Sequence, residues 1–92
     1  MKLEWDEAKN ASNIEKHGID FSVAHELFEN DRLIFPDNRK DYGEKQFIAV
    51  GHINKRLIVA VYTQRSSGIV RIISLRKANS REKARFEKAV KN

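Results

Sequence analysis

The stretch GIVRIISLRKANSRE at residues 68–82 carries polar side chains inside an apolar run, at Arg71, Ser74 and Arg76. Its alternation predicts a strand, and a guanidinium in a buried strand costs on the order of several kcal/mol unless it is paired. Arginine holds two phosphate oxygens through its planar fork and stays protonated at neutral pH. We therefore predict that these side chains bind an anionic group and that the strand positions them.

The positive charge of the chain lies in its C-terminal half. Residues 1–46 contain seven Lys or Arg and eleven Asp or Glu, a net charge of −4, whereas residues 47–92 contain eleven and two, a net charge of +9. A concentrated basic surface favours a polyanionic partner, of which nucleic acid is the commonest in the cytoplasm. The alternative is a basic surface that only keeps the protein soluble.

Length and composition predict one domain over residues 1–92, because 40% of the residues are hydrophobic and no linker interrupts them. The chain has no cysteine, which excludes disulfides and thiolate metal sites. Its first residues, MKLEWDEAKN, resemble neither a signal peptide nor a membrane span. We therefore expect a cytoplasmic protein without membrane contact.

The N-terminal half predicts two helices between short extended segments. After a short start at residues 2–5, Asp6 is placed to cap a helix that runs to about Lys16, with Gly18 as its stop. Its apolar stripe is predicted at Ala8, Ala11 and Ile14. A second stripe predicts a helix over residues 21–30, followed by a brief strand at 33–36 and a polar loop at 37–43.

The C-terminal half predicts three strands and a helix. Strands at 44–51, 56–64 and 69–76 are joined by short turns and so form an antiparallel meander. Asn79 and Glu82 have the spacing of a capping box, which predicts a last helix to about Val90. The fold class is therefore α+β: a small curled antiparallel sheet with two N-terminal helices and one C-terminal helix.

The turns suggest which side chains share a face of the meander, although a slip of one residue would swap the two faces. The predicted core face carries Phe47, Ala49, Leu57, Val59, Val61, Ile73 and Leu75. The other face carries Glu44, Gln46, Tyr62, Gln64, Ser74 and Arg76 among apolar residues. A concave surface with an arginine, an amide, a hydroxyl and a tyrosine is suited to a phosphate and a stacked base.

The chain resembles, nearly end to end, the BrnT-type toxins of bacterial type II toxin-antitoxin systems. The resemblance is carried by WDEAKNASNIEKHGIDF at 5–21, YGE at 42–44 and YTQRSSGIVRIISLRKANSRE at 62–82. It implies a RelE-like fold, RNA cleavage without a metal ion or other cofactor, and inhibition of translation. It also implies neutralisation by a ribbon-helix-helix antitoxin in a symmetric heterotetramer, which binds operator DNA only through the antitoxin.

The chemistry implied by this resemblance is attack of an RNA 2′-hydroxyl on its neighbouring phosphate. Arg76, supported by Arg65, is predicted to stabilise the transition state. His17 or Glu44 is predicted to act as the general base or acid. The predicted substrate contacts are Lys16, Gln46, Tyr62, Arg71, Ser74 and Lys77.

The chain departs from the family pattern at three positions. Gln46 stands where the family usually has arginine, Leu75 where it has a small residue, and Phe86 where it commonly has tyrosine. The first departure removes a phosphate-binding fork and favours a second hypothesis, a non-catalytic RNA- or protein-binding module on the same scaffold. Restoring arginine at Gln46 separates the two, since only a toxin should become more harmful to its host.

Structural explanations compete with several of these roles. Pairing with Glu82 at the end of the strand also explains Arg76 and Lys77 without a function. Close packing beside Ala60 also explains Ser74, because serine is small. Lys16 and His17 suit a helix C-terminus without any catalysis, and Tyr62 suits an ordinary strand. Asp37, Asp41 and Glu44 suggest a divalent metal site, but a solvated loop of mixed charge explains them better, so no metal is predicted.

Overall fold

The computed structural model describes residues 1–39 and 43–90 of the chain. Its helices are α1 at Glu7–His17, α2 at Ala24–Glu29, which follows a 3₁₀ turn at Phe21–Val23, and α3 at Ser80–Val90. Its strands are β1 at Lys2–Trp5, β2 at Arg32–Pro36, β3 at Gln46–Ile53, β4 at Arg56–Ser66 and β5 at Ile69–Lys77. Within the described ranges no helix is long and apolar enough to cross a membrane.

The strands form one sheet in the order β1-β5-β4-β3-β2, and the α+β class is confirmed. β2 to β5 pair antiparallel with their neighbours, whereas β1 runs parallel to β5. The expectation of a purely antiparallel sheet is therefore wrong at β1. A segment of four residues is too short for its sequence pattern to predict which strand it pairs with. Parallel strands need a long connection, and the chain between β1 and β5 supplies it.

A two-residue turn sets the register of the β3–β4 hairpin. Asn54 and Lys55 have φ values of 49° and 66°, as a type I′ turn requires, and Ile53 pairs with Arg56. Phe47 consequently lies opposite Tyr62. The predicted register was wrong by one residue on β4, so the side chains of that strand face the opposite way from the prediction.

Helices cover both faces of the sheet. The α1 and α2 helices pack on one face over a core whose most buried members are Phe21, Leu27, Ile58, Ile72 and Leu75. The α3 helix packs on the opposite face, where a smaller cluster contains Val50, Leu57, Val59, Ala78 and Phe86. We call this second side of the sheet the α3 face. By strand alternation it also carries Gln46, Thr63, Arg71, Ser74 and Arg76.

The α1 helix is anchored by asparagines rather than by its predicted apolar stripe. Ala8, Ala11 and Ile14 are exposed, whereas Asn10 and Asn13 are buried. This part of the prediction was wrong because the helix lies against backbone groups, which polar side chains satisfy and apolar ones cannot. The predicted helix ends are confirmed, since Asp6 accepts a bond from the Lys9 backbone and Gly18 has φ 71°.

Candidate nucleic-acid interface

Arg76 lies at the end of β5 and is clamped by the first turn of α3. Its Nη1 and Nη2 each donate to an oxygen of Glu82 at 2.8 Å. Glu82 also accepts from the Asn79 backbone at 2.9 Å, while the Asn79 side chain accepts from the Glu82 backbone at 2.8 Å. The predicted capping box is thus confirmed, as is the pairing of Arg76 with Glu82. One carboxylate caps α3 and orients the guanidinium.

This pairing leaves part of the guanidinium available. Among the described residues none accepts a hydrogen bond from Nε of Arg76, and its side chain is 37% exposed. The hydrogen bonds that Arg76 donates to Glu82 raise the pKa of Arg76, while burial and the nearby charge of Arg39 lower it to a smaller extent. Arg76 therefore presents a permanent charge and a free donor edge to solvent.

The end of α1 meets Arg76 in a cleft of about 300 Å³ lined by Lys16, His17, Arg76 and Lys77. Two of the predicted catalytic residues, Arg76 and His17, are thus brought together with two of the predicted substrate contacts, Lys16 and Lys77. Three cationic side chains and an imidazole around one cleft suit a phosphate and a proton-transfer step.

Asn13 holds this cleft in place. β1 covers the edge of β5 only as far as Ile72, and beyond that point the Asn13 side chain pairs with both backbone groups of Leu75, at 2.9 and 3.1 Å. Its amide also donates to the Ile19 carbonyl at 2.9 Å. A buried edge must be hydrogen-bonded, and an asparagine amide supplies one donor and one acceptor as a strand would.

The other two predicted catalytic residues, Arg65 and Glu44, lie elsewhere. Arg65 is 3.6 Å from Glu44, and both side chains are over 40% exposed. Arg76 pairs with Val59, six residues from Arg65 along β4, which corresponds to roughly 20 Å of strand. The structure therefore does not bring Arg65 and Glu44 to the Arg76 cleft, and Glu44 lacks the burial that would suit a general base.

The middle of the α3 face carries the remaining predicted contacts. Gln46 and Arg71 lie opposite Thr63 on either side of β4, and Arg71 donates to Glu4 at 2.8 Å. Ser74 lies opposite Val61 rather than beside Ala60, again because the register differs by one residue. These polar side chains connect the Arg76 cleft with the Arg65–Glu44 end of the sheet.

Tyr62 is not part of this surface. It lies on the opposite face at 5% exposure, stacked on Phe47 with centroids 5.6 Å apart and edge-on to Phe28 at 5.2 Å. Burial raises the pKa of its hydroxyl. The prediction that Tyr62 stacks on a base was wrong, because the register turns it into the core.

Besides Asn13, two polar residues near the interface were missed by the sequence analysis. Arg39 donates twice to the buried carboxylate of Asp37, at 2.8 Å each, and its charge reaches Arg76. The spacing of Asp37 and Arg39 in a polar loop was the available signal.

No group of three or more acidic or histidine side chains suited to a metal ion occurs in residues 1–39 and 43–90; Asp41 and Tyr42 lie outside the described residues.

Thr63 is the second missed residue. It is 2% exposed, and its hydroxyl finds no hydrogen-bond partner in the described part of the chain. A polar interruption in the run LIVAVYT was its only sequence signal. The hydroxyl lies on the α3 face between Gln46 and Arg71 and carries a desolvation cost that an apolar side chain would avoid.

Replacing Thr63 by valine is expected to raise the free energy of unfolding by about 1 kcal/mol, because valine keeps the shape and removes the unpaired hydroxyl. Urea denaturation measures the change. Thr63→Ser is the matched control, since it keeps the hydroxyl and loses a methyl group, and it should destabilise by about 1 kcal/mol. A destabilised Thr63→Val would show that the hydroxyl is bonded in the folded protein.

The Arg76–Glu82 pair predicts an acid-dependent stability. Hydrogen bonds from Arg76, and then from the Asn79 backbone, hold the pKa of Glu82 below its usual 4.5. A carboxyl whose pKa is depressed by folding stabilises the folded state above the unfolded value and loses that contribution as the pH falls through the folded value. The stabilisation by Glu82 should therefore be complete at pH 7 and decline below about pH 4.5.

Urea denaturation of the parent and Glu82→Gln at pH 7 and pH 3 tests this dependence. The difference in unfolding free energy between them should be larger at pH 7. The exposed Glu87 on the same helix provides the control Glu87→Gln, which should differ little from the parent at either pH. A Glu82→Gln difference that stays the same at pH 3 would contradict the prediction.

Comparison with known proteins places these features in context. Residues 5–82 match the model of a family described as the ribonuclease toxin BrnT of type II toxin-antitoxin systems. A crystal structure of the Brucella abortus ribonuclease toxin BrnT is similar to the chain at 32% identity and a TM-score of 0.72, covering 87% of this chain and 99% of that one. No curated protein sequence gives a match.

Proposed function

We propose that this chain, which belongs to the BrnT family of ribonuclease toxins of type II toxin-antitoxin systems, cuts RNA without a metal ion and thereby inhibits translation. The observation that carries the proposal is the cleft that Arg76, His17, Lys16 and Lys77 line together. It combines phosphate-binding charge with an imidazole, which can take or give a proton.

The proposed reaction joins the 2′-oxygen of one nucleotide to the adjacent phosphorus and breaks the bond from phosphorus to the 5′-oxygen. His17 takes the proton of the 2′-hydroxyl or gives one to the leaving 5′-oxygen, and water carries out the other of these two proton transfers. Arg76 stabilises the charge that develops on the phosphate, an effect of about 3 kcal/mol for a well-aimed donor. Lys16 and Lys77 hold the phosphates on either side of the scissile bond.

The remaining predicted residues are proposed to bind RNA away from the scissile phosphate. Arg71, Ser74 and Gln46 follow the α3 face towards the Arg65–Glu44 pair, a track of roughly 20 Å. Single-stranded RNA spans this distance with a few nucleotides, and arginines along such a track bind its backbone. The proposal thus moves Arg65 from catalysis to substrate binding and leaves Glu44 as its ion-pair partner.

A second candidate function is the non-catalytic binding module. The pairing of Arg76 with Glu82 favours it, because a carboxylate already takes two of the donors that a phosphate would use. The absence of an arginine at Gln46 acts in the same direction. This second candidate, a non-catalytic or catalytically disabled module, binds RNA or a protein and cuts no RNA.

Incubation of the purified chain with a model RNA in excess EDTA tests the proposed function. Metal-independent cleavage should leave 2′,3′-cyclic phosphate ends, which mass spectrometry identifies. Where free RNA stays intact, ribosomes with a bound message are the second substrate. Intact RNA in both settings would overturn the proposal in favour of the binding module, and cleavage that EDTA abolishes would overturn its metal independence.

Membership of a type II system implies an antitoxin partner. We propose further that this antitoxin has a ribbon-helix-helix fold, that the complex is a symmetric heterotetramer, and that it contacts operator DNA only through the antitoxin. Residues 1–92 are proposed to act in the cytoplasm as one domain with a RelE-like fold, whose chemistry requires no cofactor.

A further inference from the structure

A groove runs between α3, the β3–β4 turn and the end of α2. Its two halves have volumes of about 600 and 450 Å³ and share His52, Lys55, Phe86 and Val90 as lining residues. The floor is apolar, because Phe86 and Leu57 lie beneath it and Val90 stays 45% exposed beside it. The imidazole of His52 stands edge-on to the Phe86 ring at 5.3 Å. The groove therefore offers apolar contact to an incoming side chain.

The rim of this groove carries opposite charges at its two ends. Arg56, Lys77 and Lys83 border one half, where Glu87 is the acidic lining residue. Glu26 and Asp31 border the other half. RNA has a negative charge at every nucleotide, so the acidic end would repel it. A polypeptide with both signs of charge and an apolar residue between them complements the whole groove.

We propose that this groove is the docking site of the antitoxin. The docked segment places an apolar side chain against Phe86 and Val90, acidic side chains towards Lys83, and basic side chains towards Asp31. This inference rests on the proposed function, since it takes the partner to be the antitoxin of this toxin. Lys77 lines both the groove and the Arg76 cleft, so an occupant of the groove reaches the proposed site of cleavage.

Calorimetric titration of the purified chain with its full-length antitoxin tests the proposal. Val90→Asp and Lys83→Glu alter exposed groove residues and leave the Arg76 cleft intact. Each should weaken binding about tenfold or more, the loss typical of a central interface side chain. Ile14→Asp and Lys9→Glu are matched controls on α1, because Ile14 is 41% exposed and Lys9 is also exposed. They should bind as the parent does.

RNA cleavage by the same variants separates this inference from the proposed function. Val90→Asp and Lys83→Glu should cut RNA like the parent when no antitoxin is present and resist inhibition when it is added. Parent-like antitoxin binding by both groove variants would overturn the inference. Equal weakening by the α1 controls would overturn it in favour of docking on the N-terminal helices. A raised KM for RNA with unchanged antitoxin binding would identify the groove as an RNA surface instead.

Discussion

Arg76→Ala should lower the rate of RNA cleavage by about 100- to 1000-fold, the effect of removing one donor aimed at a developing negative charge. The loss should appear in kcat, because the guanidinium acts on the charge that forms in the transition state. The folded state should lose only about 0–1 kcal/mol, since Arg76 and Glu82 form a partly exposed ion pair, at 37% and 25% exposure. Cleavage kinetics and urea denaturation of the same preparation measure both quantities.

Two further variants define what Arg76 contributes. Arg81→Ala removes an exposed arginine of α3 and should leave cleavage unchanged, which controls for the loss of one positive charge. Arg76→Lys keeps the charge but not the planar fork, so its rate should lie between those of the parent and Arg76→Ala. A well-folded Arg76→Ala that cleaves at the parental rate would exclude Arg76 from the reaction.

Asn13→Ala should lower the free energy of unfolding by about 2–4 kcal/mol, a large part of the stability of a small domain. The substitution removes three hydrogen bonds and leaves the backbone N–H and C=O of Leu75, together with the Ile19 carbonyl, without their partner on a buried edge. Alanine has a higher helix propensity than asparagine, so the substitution does not weaken the helix itself. The loss therefore comes from the buried backbone groups. Urea denaturation followed by circular dichroism measures it.

Asn30 provides the matched control for this experiment. Its side chain also donates to two carbonyls, those of Glu26 and His52, but it is exposed, so water replaces the lost bonds in Asn30→Ala. That variant should lose less than about 1 kcal/mol. An Asn13→Ala variant that loses no more than Asn30→Ala would show that the β5 edge does not depend on the asparagine.

The position of α1 links this stability to the proposed reaction. With Asn13 removed, α1 is no longer tied to β5 at Leu75, and the Lys16–His17 end loses its fixed distance from Arg76. The surviving folded fraction of Asn13→Ala should therefore cut RNA more slowly than the parent. Asn30→Ala should cut at the parental rate, because Asn30 caps the end of α2 and does not line the Arg76 cleft.

Much of the local structure follows from signals that lie within a few residues of one another. Asp6 and Gly18 end α1, Asn79 and Glu82 begin α3, and the apolar run of β4 marks a strand buried on both faces. A capping bond closes over three or four residues, so its chemistry is already present in the local sequence. The resemblance to the toxin family likewise depended only on residue types and their order.

Other features depend on how the strands pair with one another. The two-residue turn at Asn54 and Lys55 sets the β3–β4 register, which turns Tyr62 into the core. The β4–β5 register, which shifts between Val61 and Tyr62, places Ser74 and Arg76 on the α3 face. A pattern that is apolar on both faces of β4 carries no information about that choice, because a shift of one residue keeps it equally apolar.

The sequence by itself determined the class of the fold, the helix ends, the basic C-terminal half and the residue types for phosphate chemistry. Only the tertiary structure decided that Arg76 meets His17, 59 positions away in the chain, and that Arg65 and Glu44 lie apart from them. The physical reason is the open edge of β5 beyond β1. Its buried backbone groups require a partner, Asn13 supplies it, and the end of α1 is thereby carried to the arginine.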